Sequence, residues 1–157
     1  MKYIYYYDTF LGKIGIAEEN NHITNLVFQH EEIDENIILE ETRLIKKAAE
    51  QLEEYLQGTR QFFEIPLNPR GTEFQKKDWD ALQQIPYGKT VSYGYIAKQI
   101  GCPKGARAVG LANNRNPIPI FIPCHRVIGT NGKLVGYGGG IDKKIKLLKI
   151  EGIEINK

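Results

Sequence analysis

The chain has 157 residues, 41% of them hydrophobic, and a net charge of +2; that is apolar material for one good core or two small ones. No run of about 18 apolar residues is present to span a bilayer, and the aromatic start, residues 1–7, runs into Asp8 without the small-residue cleavage site of a signal peptide, so a cytoplasmic protein with no membrane partner is expected. Two cysteines, Cys102 and Cys124, make neither a disulfide framework nor a zinc-ligand pattern, so reduced thiols, no metal and no cofactor are expected.

The small net charge hides a division. Residues 1–70 carry 7 Lys+Arg against 13 Asp+Glu, whereas residues 71–157 carry 14 against 6. The asymmetry suggests that the second part faces a polyanion, with solvated surface lysines as the competing reading.

Residues 3–7, 14–18 and 23–28 are short apolar or aromatic runs separated by turn-like residues, and predict a small antiparallel sheet. An acidic stretch, 31–41, leads into Leu44, Ile45, Ala48, Ala49, Leu52, Tyr55 and Leu56, whose spacing makes one apolar helical face with Gly58 as its stop. His22 and His30 are isolated and read as surface residues. Residues 59–71, with Pro66, Pro69 and Gly71, read as a linker. The expected division is therefore 1–70, a structural α/β domain, and 71–157, the domain that carries the chemistry.

Thr72 with Gln75 forms a capping box that opens a helix bearing Phe74, Trp79, Ala81, Leu82 and Ile85. Ser92 caps a second helix through Ile100, closed by Gly101, and Pro103 fits the first turn of a third running to about Asn113. Two short helices joined in this way have the form of a helix-turn-helix. The third helix is nearly bare: Gly105, Ala106, Ala108, Gly110 and Ala112 carry no bulk, while Lys104, Arg107 and Arg115 supply charge. Glycine inside a helix costs about 1 kcal/mol relative to alanine, so the small residues ask for a close approach, either to a nucleic-acid groove probed by Arg107 or to another helix.

The stretch 118–127 sets Cys124 beside His125 and Arg126 after an apolar run held stiff by prolines at 117, 119 and 123. Neighbouring cations lower a thiol's pKa and make it a nucleophile; the competing reading is a small buried hydrophobe. Beyond it, residues 129–132 favour a tight turn, and the glycine-rich 136–140 suits close approach to a backbone. Asp142 is placed to cap a last helix containing Ile145, Leu147 and Leu148 and ending at Glu151-Gly152, with lysines 143, 144, 146 and 149 on its basic side.

Pro123-Cys124-His125-Arg126-Val127, preceded by Asn116-Pro117 and by Ala106-Arg107-Ala108-Val109-Gly110, resembles the O6-alkylguanine-DNA alkyltransferases, or methylated-DNA–protein-cysteine methyltransferases. The likeness also takes in Gly71-Thr72-Glu73-Phe74-Gln75 and residues 85–93, and runs to Gly152. It implies direct DNA repair: an alkyl group passes from O6-alkylguanine, with O4-alkylthymine as a secondary substrate, in duplex DNA to Cys124. The thioether is not reversed, so each molecule acts once. By the same resemblance, a Glu151–His125 pair activates Cys124 through a water, Tyr93 donates a proton to the leaving purine, and Asn116 ties the helix-turn-helix to the thiol segment. Arg107 replaces the flipped base while Ala106, Ala108, Gly110, Lys104, Arg115 and Arg126 meet the minor groove and its phosphates. Val127, Tyr137 and Gly138 join Tyr93 in the base pocket; Gly138 stands where the family often has serine or alanine, which implies a roomier wall. The expected architecture is α+β, a small antiparallel sheet with a helix followed by a mostly helical domain, acting as a monomer. The alternative is a non-catalytic protein that recognises lesions in DNA.

Overall fold

The computed structural model describes residues 1–28, 36–129, 132, 137 and 140–154, which divide into two compact units, Met1–Arg70 and Gly71–Lys157. The fold is α+β. Among the described residues no helix is long and apolar enough to cross a membrane.

In the first unit, β1 (Lys2–Thr9), β2 (Gly12–Glu19) and β3 (His22–Phe28) form an antiparallel meander, and β4 (Ile38–Leu39) adds to the far edge parallel to β1, giving the order β3-β2-β1-β4. The β2–β3 turn places Asn20 and Asn21 at φ 53° and 61°, the left-handed region that asparagine tolerates and that matches strand twist in a hairpin. Helix α1 (Arg43–Leu56) is capped by Thr42, whose hydroxyl accepts from Ile45 N–H at 3.1 Å, and buries Leu44, Ile45, Ala48, Leu52, Tyr55 and Leu56. Gly58, at φ 82°, ends it as expected.

Two sequence expectations need correction here. The acidic stretch contributes a two-residue strand, within the short apolar run Ile37-Ile38-Leu39, that pairing with β1 defines; residues 29–35, which include His30, lie outside the described residues. The supposed linker is also tied down. Ile23 N–H donates to Pro66 O and Asn68 N–H to Ile23 O, both at 2.8 Å, while Gln51 Oε1 accepts from Glu64 N–H at 2.9 Å. Its prolines punctuate a segment that satisfies the open edge of β3.

In the second unit, Thr72 and Gln75 form the reciprocal capping box of α2 (Glu73–Leu82), and Ser92 caps α3 (Tyr93–Gln99) by accepting from Tyr95 N–H at 3.0 Å. Helix α4 (Ala106–Asn114) packs on both. It starts at Gly105, with Pro103 in the preceding turn and not in the helix. A Cβ at Gly105 would lie 2.7 Å from Cys102 Sγ and 3.0 Å from Cys102 O, so this glycine serves the turn itself. The last helix, α5 (Ile141–Ile150), begins from Gly140 at φ 102°, which leaves Asp142 inside the first turn and not at the cap. A parallel pair that no local pattern signals, β5 (Val91–Ser92) with β6 (Val127–Ile128), joins the start of α3 to the residue after the thiol turn.

Candidate active site

The thiol segment is folded back on itself. Ile122 N–H donates to Ile118 O at 2.9 Å and Ile120 sits at φ 75°, a conformation rare for a β-branched residue that costs of order 1–3 kcal/mol. The prolines thus frame a compact turn, which is how the stiffness expected of this run is realised. Ile118, Ile120, Phe121 and Ile122 are buried and hold it. Asn116 clamps the turn: its Nδ2 donates to Ile122 O at 2.8 Å and its Oδ1 accepts from Ile118 N–H at 3.0 Å.

Cys124, His125 and Arg126 form one 3₁₀ turn. Cys124 is 6% exposed and His125 is fully buried. His125 Nε2 lies 2.7 Å from Glu151 Oε2, and Arg126 closes on the same carboxylate, with Nε at 2.9 Å from Oε1 and Nη2 at 3.1 Å from Oε2. The Gly88 N–H donates to Glu151 Oε1 at 2.9 Å. Burial works against the Glu151 carboxylate, yet the bonds from His125, Arg126 and Gly88 outweigh it and bring its pKa down to about 2. Burial depresses the His125 pKa while Glu151 supports the charged form; the resting imidazole is neutral, donates through Nε2 and carries its lone pair on Nδ1.

Burial pushes the Cys124 thiol up to about 11, opposed by a hydrogen bond with Asn116 and by the charge of Lys144. Lys144, expected on the basic side of α5 with its neighbouring lysines, is instead fully buried. Its Nζ donates to Val127 O at 2.7 Å and lies 6.0 Å from the centre of the Tyr93 ring. Burial brings its pKa down to about 8. The signal was in the helical spacing: Lys144, Leu147, Leu148 and Glu151 share one stripe of α5, with the two charged groups at its ends.

Tyr93 opens α3 beside this group, its hydroxyl pushed up to about 12 by burial and by Cys124 and Asp78, so it keeps its proton at neutral pH. Val127 is buried, its carbonyl occupied by Lys144. Tyr137 is half-buried, and Gly138 lies outside the described residues. Gly110 packs against the Tyr93 ring, where a Cβ would make ordinary contact at 3.8 Å. Lys104, Arg107 and Arg115 are exposed, with Ala106, Ala108 and Gly110 half-buried between them. Arg126 is the correction: expected at the DNA surface, it is buried, clasps Glu151 and donates through Nη1 to Ile85 O at 2.7 Å. A guanidinium buried between two carboxylate oxygens and a carbonyl is turned away from solvent and so from a phosphate. A cleft of about 500 Å³ between α2 and α3, lined by Lys77, Gln84, Tyr95 and Gln99 among others, includes neither Cys124 nor His125.

Two family descriptions match this chain: the DNA-binding domain of 6-O-methylguanine DNA methyltransferase over residues 73–153, and its ribonuclease-like domain over residues 1–69. The chain belongs to the 6-O-methylguanine DNA methyltransferase family. The second match extends the likeness across the first unit, beyond the motifs that carry it between Gly71 and Gly152. The methylated-DNA–protein-cysteine methyltransferase of Methanosarcina acetivorans is 59% identical over 114 residues, 73% of either chain. The constitutive enzyme of Bacillus subtilis is 47% identical over 160 residues, 98% of this chain and 97% of its own. Among solved structures, Mycobacterium tuberculosis OGT in complex with DNA matches at a TM-score of 0.90 and 45% identity, covering 95% of this chain and 92% of that one. Schizosaccharomyces pombe Atl1, in complex with damaged DNA containing O6-carboxymethylguanine, matches at 0.51 and 38% identity over 56% of this chain and 83% of its own.

Proposed function

We propose that this protein repairs duplex DNA by moving the alkyl group of O6-alkylguanine onto Cys124, once per molecule. The observation that carries the reading is the buried turn that places Cys124 next to a histidine held by Glu151, with Asn116 and Lys144 both favouring ionisation of its sulfur. The thiol proton passes through a water to Nδ1 of His125. The thiolate then attacks the alkyl carbon in line: the S–C bond forms as the C–O bond breaks, and the electron pair goes to the purine. Tyr93 gives its proton to a ring nitrogen of the departing base, and the uncharged guanine is released. The thiol's high resting pKa keeps it protected until the site is engaged.

The face of α4 that carries Lys104, Arg107 and Arg115 enters the minor groove, and Arg107 fills the place of the everted base. Residues 71–157 carry this chemistry and residues 1–70 are structural. The protein works as a monomer in the cytoplasm, where its free thiols Cys102 and Cys124 stay reduced.

The test is mass analysis after incubation with duplex DNA containing O6-methylguanine. One methyl mass on the Cys124 peptide, absent from Cys124→Ser, is the expected result. Tight binding without a mass change would make the protein a lesion-recognition factor, and methyl on Cys102 would move the reaction elsewhere.

A further inference from the structure

Asp78 is fully buried on α2, and the alkyl-transfer chemistry makes no direct use of it. A buried carboxyl needs partners. With the amide of Asn113, at the end of α4, oriented so that its nitrogen and not its oxygen faces the carboxyl, as hydrogen bonding demands, it donates to Oδ2 at 2.6 Å and Oδ1 at 3.2 Å, and to Val109 O at 3.2 Å. The adjacent Trp79 holds the same end of α4, its indole N–H donating to Ala112 O at 3.0 Å. From Asn113 the connection continues to the site: Asn116 N–H donates to Asn113 O at 3.1 Å, and the Asn116 side chain clamps the thiol turn and favours ionisation of the Cys124 thiol.

We infer that Asp78 is a positioning residue for alkyl transfer: by gripping Asn113 it fixes the end of the DNA-facing helix, and through it the Asn116 clamp on the turn that presents Cys124. This rests on the function proposed above and adds to it a physical link between the groove-binding helix and the sulfur. The carboxyl also acts through space. The groups coupled to it are Tyr93 on α3 and Cys124 on the 3₁₀ turn, both of whose pKa values its charge raises; on α4 it faces the neutral Asn113. Burial pushes the Asp78 carboxyl up to about 7, while the amide donor favours the ionised form. Its ionisation therefore works against that of the thiol, in opposition to Lys144.

The experiment uses the full chain and two readouts: the pH profile of iodoacetamide labelling, read on the Cys124 peptide, and the rate of methyl transfer from duplex DNA. Asp78→Asn retains an oxygen to accept from Asn113 and removes the charge, so the labelling midpoint should fall by about 0.5 in pH and transfer at neutral pH should quicken about threefold. Asp78→Ala and Asn113→Ala break the grip and should slow transfer about tenfold. A D78N labelling profile superimposable on that of the wild type, or wild-type transfer by N113A, would overturn the inference. Because labelling needs no DNA, D78N still reads the carboxyl's influence even if the wild type takes no methyl from DNA, the result that would instead sink the proposed function.

Discussion

His125 and Glu151, 26 residues apart, meet at 2.7 Å with neither side chain exposed to solvent, and Arg126 shares the same carboxylate. One acid thus orients the imidazole that serves the thiol and neutralises a buried guanidinium. Glu151→Gln should slow methyl transfer by about 10- to 100-fold, because the imidazole loses the partner that fixes its tautomer. It should also cost about 3–5 kcal/mol in denaturant unfolding, because Arg126 is left buried without its counter-charge. With its pKa brought from 4.5 to about 2, the folded carboxylate contributes stability that is fully present above 4.5 and is lost as pH falls toward 2. The acid limb of the stability curve should be shallower in the variant.

Lys144→Met separates the charge of the buried lysine from its bulk. Removing the cation should slow iodoacetamide labelling of Cys124 at neutral pH by about 5- to 10-fold. The lysine pKa of about 8, against an ordinary 10.5, means that the unfolded chain binds the extra proton between those values. The wild type should gain stability from this group as pH rises from 8 to 10.5, and the variant should not. Thermal melts across that range check it.

Arg107→Ala tests the exposed face of α4. Loss of the arginine should reduce transfer from duplex DNA by at least about tenfold while leaving reaction with free O6-benzylguanine intact. Equal loss on both substrates would place Arg107 in the chemistry rather than in base extraction. DNA affinity, titrated at increasing salt, should fall with a slope that is less steep in the variant by about 1.

Gly105→Ala places a methyl 2.7 Å from Cys102 Sγ and 3.0 Å from Cys102 O. It should destabilise the fold by about 1–3 kcal/mol. Adding Cys102→Ala should recover only part of this, since the carbonyl remains; a double-mutant cycle gives the split.

What could be read from the sequence was what local chemistry decides. Thr72, Ser92, Gly58 and Gly101 cap or end helices by bonds and backbone conformations within a few residues, and the strand alternation of the first 28 residues needs only its neighbours. What escaped depends on distant partners. Ile38–Leu39 is a strand because β1 lies beside it, and Val91–Ser92 because Val127–Ile128 does. Arg126 looked like a phosphate contact until Glu151 and the Ile85 carbonyl were found around it. Lys144 and Asp78 each sit on an apolar helical stripe, next to Leu147 and Leu148 or to Trp79 and Leu82, a position that outweighs the charge which makes either look like a surface residue.

The carboxylate that completes the thiol's surroundings comes from the cap of α5, downstream of the nucleophile and on a different element. On a ribosome the nucleophile therefore emerges well before the acid that orients its histidine. A nascent chain that stops short of α5 holds its sulfur in an unfinished setting, without the acid that orients His125.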